Sequence, residues 1–187
     1  MSLTGNIAAR VAARRVRRMR QNASAPQAVQ RRIFERLLSQ LRKTSCGHAH
    51  ELASVRCHAD LIRAIPLQDY QSLRPWWERA RQGERDVIWP GLTKFWAISS
   101  GTTSGEKYLP VTAATIRNNK RGGFDSLAPY LAANGGGLFD GKLLFLGGST
   151  ALRQDGGIFT GDNTGIMSRH VPTCLRGLHA PGARIRA

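Results

Sequence analysis

The sequence predicts an α/β fold, because helical and strand patterns alternate along the chain. Apolar residues at helical spacing from Ile33 to Leu41 predict a helix with one buried stripe. The large side chains of residues 95–99 and the apolar run 142–146 are typical of short strands, and a long helical segment, 112–133, lies between them. The order helix, strand, loop, helix, strand is that of an α/β domain.

Residues 6–20 precede that helix and predict another one. Their arginines alternate with apolar residues at roughly helical intervals, namely Ile7, Val11, Val16 and Met19. Such a pattern is typical of a basic amphipathic helix. It is expected to break at residues 22–26, since Pro26 removes a donor and disfavours helix in the residue before it.

Prolines and glycines indicate where the remaining helices and strands begin and end. Between residues 60 and 81, Pro66 and Pro75 predict short helices separated by proline turns, with the pair Trp76 and Trp77 as packing residues. A turn is expected at residues 89–91. After the second predicted strand, 107–110, Thr112 is placed to cap the long helix, and the glycine-rich segment 134–137 is expected to end it.

The formal charge of +16 is concentrated at the amino terminus. Residues 1–43 hold eleven Lys and Arg against the single acid Glu35, so +10 of the charge lies in less than a quarter of the chain. Six arginines of the first predicted helix suggest an alternative function in binding nucleic acid or an anionic surface. They are Arg10, Arg14, Arg15, Arg17, Arg18 and Arg20. No aromatic residue lies between them, so nucleic acid is not the favoured partner. An organellar transit peptide is a further alternative for this segment.

Three cysteines, Cys46, Cys57 and Cys174, show no disulfide spacing and are interpreted as free thiols of a cytoplasmic protein. A zinc site is an alternative, because the cysteines at 46 and 57 lie near three histidines. Their spacing fits no standard zinc module, so no metal ligand is assigned. No stretch is long and apolar enough to predict a membrane span.

The most informative segment is the run from Ser99 to Lys107, SSGTTSGEK. Glycines let the backbone approach a ligand closely, hydroxyls donate hydrogen bonds, and the lysine supplies positive charge, so the run suits an anion such as phosphate. It is not a Walker loop, because the lysine does not follow glycine directly. Composition alone favours a polar turn that links two strands.

Three blocks of sequence resemble one known family. They are IPLQDYQSLRPW at 65–76, VIWPG at 87–91 and FWAISSGTTSGEKYLPVT at 95–112. Together they look like the Gretchen Hagen auxin-responsive family in its bacterial form, a branch of the adenylate-forming superfamily of acyl-CoA synthetases and luciferases. The likeness continues through GKLLFLGGST at 141–150 and GDNTGIMSRHVP at 161–172.

The resemblance implies an ATP-dependent and Mg-dependent ligase. A carboxylic acid would attack the α-phosphorus of ATP, expelling pyrophosphate, and an amine or amino acid would then capture the acyl-adenylate as an amide. The run from Ser99 would hold the phosphates, with Lys107 as catalytic charge partner. The hydroxyl donors would be Ser99, Ser100, Thr102, Thr103 and Ser104, and the backbone approach points Gly101 and Gly105. The lysine lies one residue closer to the threonines than is usual in that family.

The same resemblance implies that this chain is an amino-terminal piece of a longer enzyme. Residues 27–187 are expected to form an incomplete part of the adenylate-forming large domain, and 1–26 a basic helical segment before it. The family places its adenine, ribose and Mg contacts in later segments. We therefore expect the chain to be inactive alone, and a separate polypeptide carrying the later segments is a candidate partner.

Overall fold

The computed structural model describes residues 3–99, 106–144 and 148–180, and its architecture is mixed α/β as predicted. The helices are α1 Leu3–Ala23, α2 Pro26–Leu41, α3 Ser45–Ala49, α4 His58–Ala64, α5 Tyr70–Arg81, α6 Ala113–Asn134, α7 Asn163–Arg169 and α8 Thr173–Arg176, with a 3₁₀ helix at Gly136–Asp140. The strands are β1 Phe95–Ser99, β2 Lys107–Val111, β3 Leu143–Leu144, β4 Leu152–Asp155, β5 Ile158–Gly161 and β6 His179–Ala180. Within these described ranges, no helix has both the length and the apolar composition needed to cross a bilayer.

The chain divides into two compact units, each built from separated segments. One unit contains Met1–Pro26, Ala114–Ala151 and Thr164–Ala187. The other contains Gln27–Ala113 and Leu152–Asn163, which includes the four-stranded sheet and helices α2 to α5.

The main sheet has the strand order β2-β1-β5-β4. Strand β1 pairs antiparallel with β2 and parallel with β5, and β4 pairs antiparallel with β5. The strands predicted at 95–99 and 107–110 are therefore confirmed. Of the strand predicted at 142–146, Leu143–Leu144 forms β3, and residues 145–147 lie outside the described ranges. Strand β3 pairs in parallel with β6, and both belong to the unit without the main sheet.

The core beside the sheet contains Trp96, the second residue of β1, which is fully buried. It packs with Ala80 at the end of α5 and with Val87, and its indole Nε1 donates a 3.2 Å hydrogen bond to the carbonyl of Thr93. The two adjacent tryptophans of α5 pack against this cluster, as predicted. Burial of these large aromatic side chains stabilises this unit.

Helix α5 corrects one prediction. Pro75 does not separate two helices but lies inside α5, as its sixth residue. The helix begins at Asp69, whose carboxylate accepts a 2.8 Å hydrogen bond from the backbone N–H of Ser72. A strong N-cap and the packing of the tryptophans offset the amide that proline removes from the helix interior.

Helix α1 forms where predicted, but only part of its apolar pattern is buried. Ile7 and Val11 are 56% and 48% exposed, whereas Ala12 is fully buried against Ala128 and Leu131 of α6, and Val16 packs against the same cluster. Gly5 is also buried, where the backbone of α1 approaches that of Gly136 closely.

The arginines of α1 do lie on one helix, but not all of them face solvent. Arg15 forms a bidentate ion pair with Asp125 of α6, and the two side chains are 17% and 23% exposed. The side-chain hydrogen bond raises the pKa of Arg15 and lowers that of Asp125. The other five arginines are exposed, and the hypothesis of a nucleic-acid or anionic-surface partner stays a prediction.

Gly5 of α1 and Gly136 of the 3₁₀ helix meet backbone to backbone. A Cβ built on Gly136 would lie 2.0 Å from the carbonyl oxygen of Gly5, a distance that no real contact allows. We expect Gly136→Ala to lower the free energy of unfolding by roughly 3 kcal/mol, the upper range for overpacking. Urea denaturation checks this. Gly137→Ala is the matched control, because a Cβ there meets nothing within 4 Å, and equal losses in both variants would contradict the contact.

Helix α4 depends on Asp60, whose carboxylate accepts hydrogen bonds from the backbone N–H groups of Arg56 at 2.8 Å and Cys57 at 3.0 Å. These bonds, first that of Arg56, lower the pKa of Asp60 from 3.8 to about 2, together with hydrogen bonds from the side chains of Cys57 and Arg63. A depressed carboxyl pKa stabilises the folded state above the unfolded pKa, and this contribution is lost as pH falls through the folded pKa.

We therefore expect Asp60→Asn, which mimics the protonated side chain, to lower the urea midpoint at neutral pH. The difference from wild type should shrink as pH falls from 3.8 to about 2. Midpoints measured across this range test the prediction. A deficit that stays constant down to the lowest pH would show that the charge of Asp60 is not what stabilises α4.

Candidate phosphate-binding site

The structure describes the two ends of the predicted phosphate loop. Ser99 is the last residue of β1 and Lys107 the first of β2, and the two are paired in the antiparallel register. Their Cα atoms therefore lie about 4.5–5.5 Å apart, the usual spacing of such pairs. The other predicted contacts lie outside the described residues, namely Ser100, Gly101, Thr102, Thr103, Ser104 and Gly105.

Lys107 extends towards the start of α5. Its ammonium nitrogen lies 5.5 Å from the ring centroid of Tyr70, the first residue of α5. At this distance a cation is attracted by the negative face of an aromatic ring. The hydroxyl of Tyr70 also accepts a 2.9 Å hydrogen bond from the backbone N–H of Tyr108, the next residue of β2.

Besides this bond to Tyr70, Tyr108 makes two side-chain contacts. The guanidinium carbon of Arg81 lies 3.7 Å from its ring centroid, and its hydroxyl donates a 2.6 Å hydrogen bond to Glu106. The hydrogen bond to this carboxylate raises the pKa of the Tyr108 hydroxyl above its ordinary value. Glu106 is exposed and accepts this bond from Tyr108.

A cavity of about 160 Å³ lies beside this network, between α5 and β2. Its charges balance, with two arginines and two glutamates, and Arg74 and Glu78 are joined by a 2.6 Å hydrogen bond. The lining residues are Tyr70, Gln71, Arg74, Trp77, Glu78, Arg81, Glu106 and Tyr108. The balanced charge makes this cavity a poor site for an anion by itself.

Sequence reasoning missed the contribution of α5. Tyr70, Arg74, Trp77 and Arg81 follow one another at intervals of four, three and four residues. This spacing places them on one face of a helix, so a polar and aromatic stripe was visible in the sequence. The sequence contains no sign that this face meets Tyr108. The contact joins Tyr108 to Tyr70, which is 38 residues away in the chain.

The cysteine and histidine residues near 46–58 do not form a metal centre. Within the described ranges, no three His, Cys, Asp or Glu side chains are placed to share an ion. Cys46 and Cys57 are free thiols, as predicted, and partial burial raises the pKa of Cys46. Nδ1 of His50 lies 3.2 Å from the carbonyl oxygen of Ala64, which suits a structural histidine.

Comparisons with known proteins agree on one family. The family model for the GH3 family N-terminal domain matches residues 15–179. A curated relative from Oryza sativa subsp. japonica, the probable indole-3-acetic acid-amido synthetase GH3.1, is 29% identical over 121 residues, which is 63% of this chain and 20% of that protein. A solved structure, the AtGH3.15 acyl acid amido synthetase in complex with 2,4-DB, is similar in fold with a TM-score of 0.57 and 20% identity, over 72% of this chain and 24% of that one.

This chain thus spans a fifth to a quarter of the relatives it matches. The likeness to the solved structure supports the predicted fold, that of part of an acyl acid amido synthetase. The match of the family model over most of the chain assigns the family. The chain belongs to the GH3 family, and residues 15–179 match its N-terminal domain.

Proposed function

We propose that this chain is part of an ATP-dependent ligase that activates a carboxylic acid as its acyl-adenylate and passes the acyl group to an amine or amino acid. The family assignment supports an amide-forming ligase. The observation that carries the proposal is the β1–β2 register. It sets Ser99 and Lys107 opposite each other at the two ends of a segment rich in glycine, serine and threonine.

Each residue type of that segment has a task in the proposed chemistry. Negative charge grows on the leaving pyrophosphate while the acid attacks the α-phosphorus, and fixed donors stabilise such charge. Lys107 would supply the positive charge, and the hydroxyls of residues 99–104 would supply neutral donors. Gly101 and Gly105 would let the backbone amides approach the phosphate oxygens.

We propose that magnesium binds together with ATP. This ion keeps several waters and binds through one or two carboxylates together with the phosphates of the nucleotide, whose charge it neutralises. The described residues offer no group of three acidic or imidazole ligands. We therefore assign no magnesium ligand to this chain, and the phosphates of ATP would bring the ion.

The chain is proposed to need other parts of the protein for the complete reaction. It matches only 20% and 24% of the lengths of the two relatives, so the acyl acid, amine and nucleoside contacts are proposed to come from outside it. A second polypeptide carrying those parts is a proposed partner. A cytoplasmic location is proposed from the free thiols Cys46 and Cys57, since reduced cysteines suit a reducing compartment.

The proposal predicts that this chain binds pyrophosphate and Mg-ATP through the loop. Lys107→Ala should weaken pyrophosphate binding about tenfold to a hundredfold, because a hydrogen bond to a charged group contributes about 1.5–3 kcal/mol. The double variant Thr103→Ala with Lys107→Ala should abolish binding at the concentrations used. Isothermal titration, on proteins shown to be folded by circular dichroism, makes the comparison.

Lys94→Ala is the matched control for this titration. Lys94 is exposed and lies directly before β1, at the opposite end of the strand from Ser99, so its removal should leave pyrophosphate affinity unchanged. Equal losses in the two lysine variants would indicate a general charge effect. A folded wild-type chain that binds neither pyrophosphate nor Mg-ATP would refute the proposed site.

A further inference from the structure

Tyr70 makes two contacts at the point where the candidate loop enters β2. Its hydroxyl accepts the backbone N–H of Tyr108 at 2.9 Å, and its ring lies 5.5 Å from the ammonium nitrogen of Lys107. One side chain therefore holds both the cation of the candidate site and the amide of the residue that follows it. The two contacts join the loop exit to α5, which is distant in sequence.

The side chain of Tyr70 is itself well fixed. It is the first residue of α5, directly after the N-cap Asp69, and its ring meets that of Trp77 edge to face at 5.0 Å. Trp77 in turn packs against the cluster around the buried Trp96 of β1. A residue that is locked by packing can set the position of a functional group more accurately than a loop can.

The contact with Tyr108 uses an amide that the sheet leaves unpaired. Strand β2 is an edge of the sheet, and β1 is its neighbour on one side. The N–H of Tyr108 points away from β1, since it donates to Tyr70 instead. The hydroxyl of Tyr70 therefore takes the place of a neighbouring strand at the residue next to Lys107.

We propose that Tyr70 is a positioning residue for Lys107, holding its backbone through the Tyr108 amide and its ammonium group over the aromatic ring. The inference rests on the proposed function, because it gives Lys107 the task of contacting phosphate. Tyr70 does not contact the anion itself. Its effect on pyrophosphate affinity passes through Lys107.

Tyr70→Phe tests the hydroxyl while keeping the ring. A fall in pyrophosphate affinity of up to about tenfold is expected, because the lost hydrogen bond contributes to binding only through the position that it gives to Lys107. Tyr130→Phe is the matched control, because Tyr130 is 53% exposed on α6, in the unit that does not contain the loop ends. The pyrophosphate affinity of Tyr130→Phe should equal that of wild type. Tyr70→Leu, which removes both contacts, should bind more weakly than Tyr70→Phe.

A double-mutant cycle separates positioning from a merely structural role. In the Lys107→Ala background, Tyr70→Phe should change the residual affinity by less than about twofold, because contacting residues are not additive. Equilibrium dialysis with labelled pyrophosphate at millimolar concentrations measures these weak affinities. If Tyr70→Phe causes the same loss with and without Lys107, Tyr70 does not act through the lysine, and the inference is wrong.

A second measurement needs no variant. Binding linkage is reciprocal, so an anion that Tyr70 helps to bind must strengthen the contact between Tyr70 and Tyr108. Saturating pyrophosphate should therefore slow hydrogen exchange at the Tyr108 amide, and unchanged exchange would overturn the inference.

If wild type binds pyrophosphate and needs Lys107, but Tyr70→Phe matches the Tyr130→Phe control, the inference fails and the proposed function stands. If wild type binds no pyrophosphate, both fail.

Discussion

Strand β1 is paired on both sides, and the geometry of the candidate site depends on this pairing. Backbone hydrogen bonds to β5 hold one edge of β1, and those to β2 hold the other. The burial of Trp96 then fixes which face of β1 meets α5. With its strand held in this way, Ser99 has a defined place, and the register with β2 gives Lys107 a defined place opposite it.

The strands next to the loop could be predicted from sequence because their signals are local. Residues 95–99 carry strand-forming side chains, and the polar run after them has no competing helical pattern. The contact of Tyr70 with Tyr108 could not be predicted, since it depends on how α5 packs against the sheet. Pro75 shows the same limit, because local preference for a turn was overridden by the N-cap and the packing of the helix around it.

Helix α1 shows where a hydrophobic pattern misleads. Of the apolar residues that formed the predicted pattern, Ile7 and Val11 are exposed, whereas Val16 packs against a cluster that contains the smaller, fully buried Ala12. Hydrophobic scales give most weight to large side chains, whereas close approach of backbones requires small ones. The ion pair between Arg15 and Asp125 was hidden for a different reason, since the sequence gives no direct sign of which charges meet across 110 residues.

The edge position of β2 also affects how this protein meets other chains. Outward-facing amides alternate along a strand, so the outward nitrogen after that of Tyr108 belongs to Pro110, which carries no hydrogen. The backbone N–H of Tyr108 already donates to the hydroxyl of Tyr70, and the nitrogen of Pro110 cannot donate. An extended segment from a second molecule would therefore find little to bond to along this edge, and self-association by strand addition is disfavoured there. Tyr70 thus also occupies one of the donors on the β2 edge of the sheet.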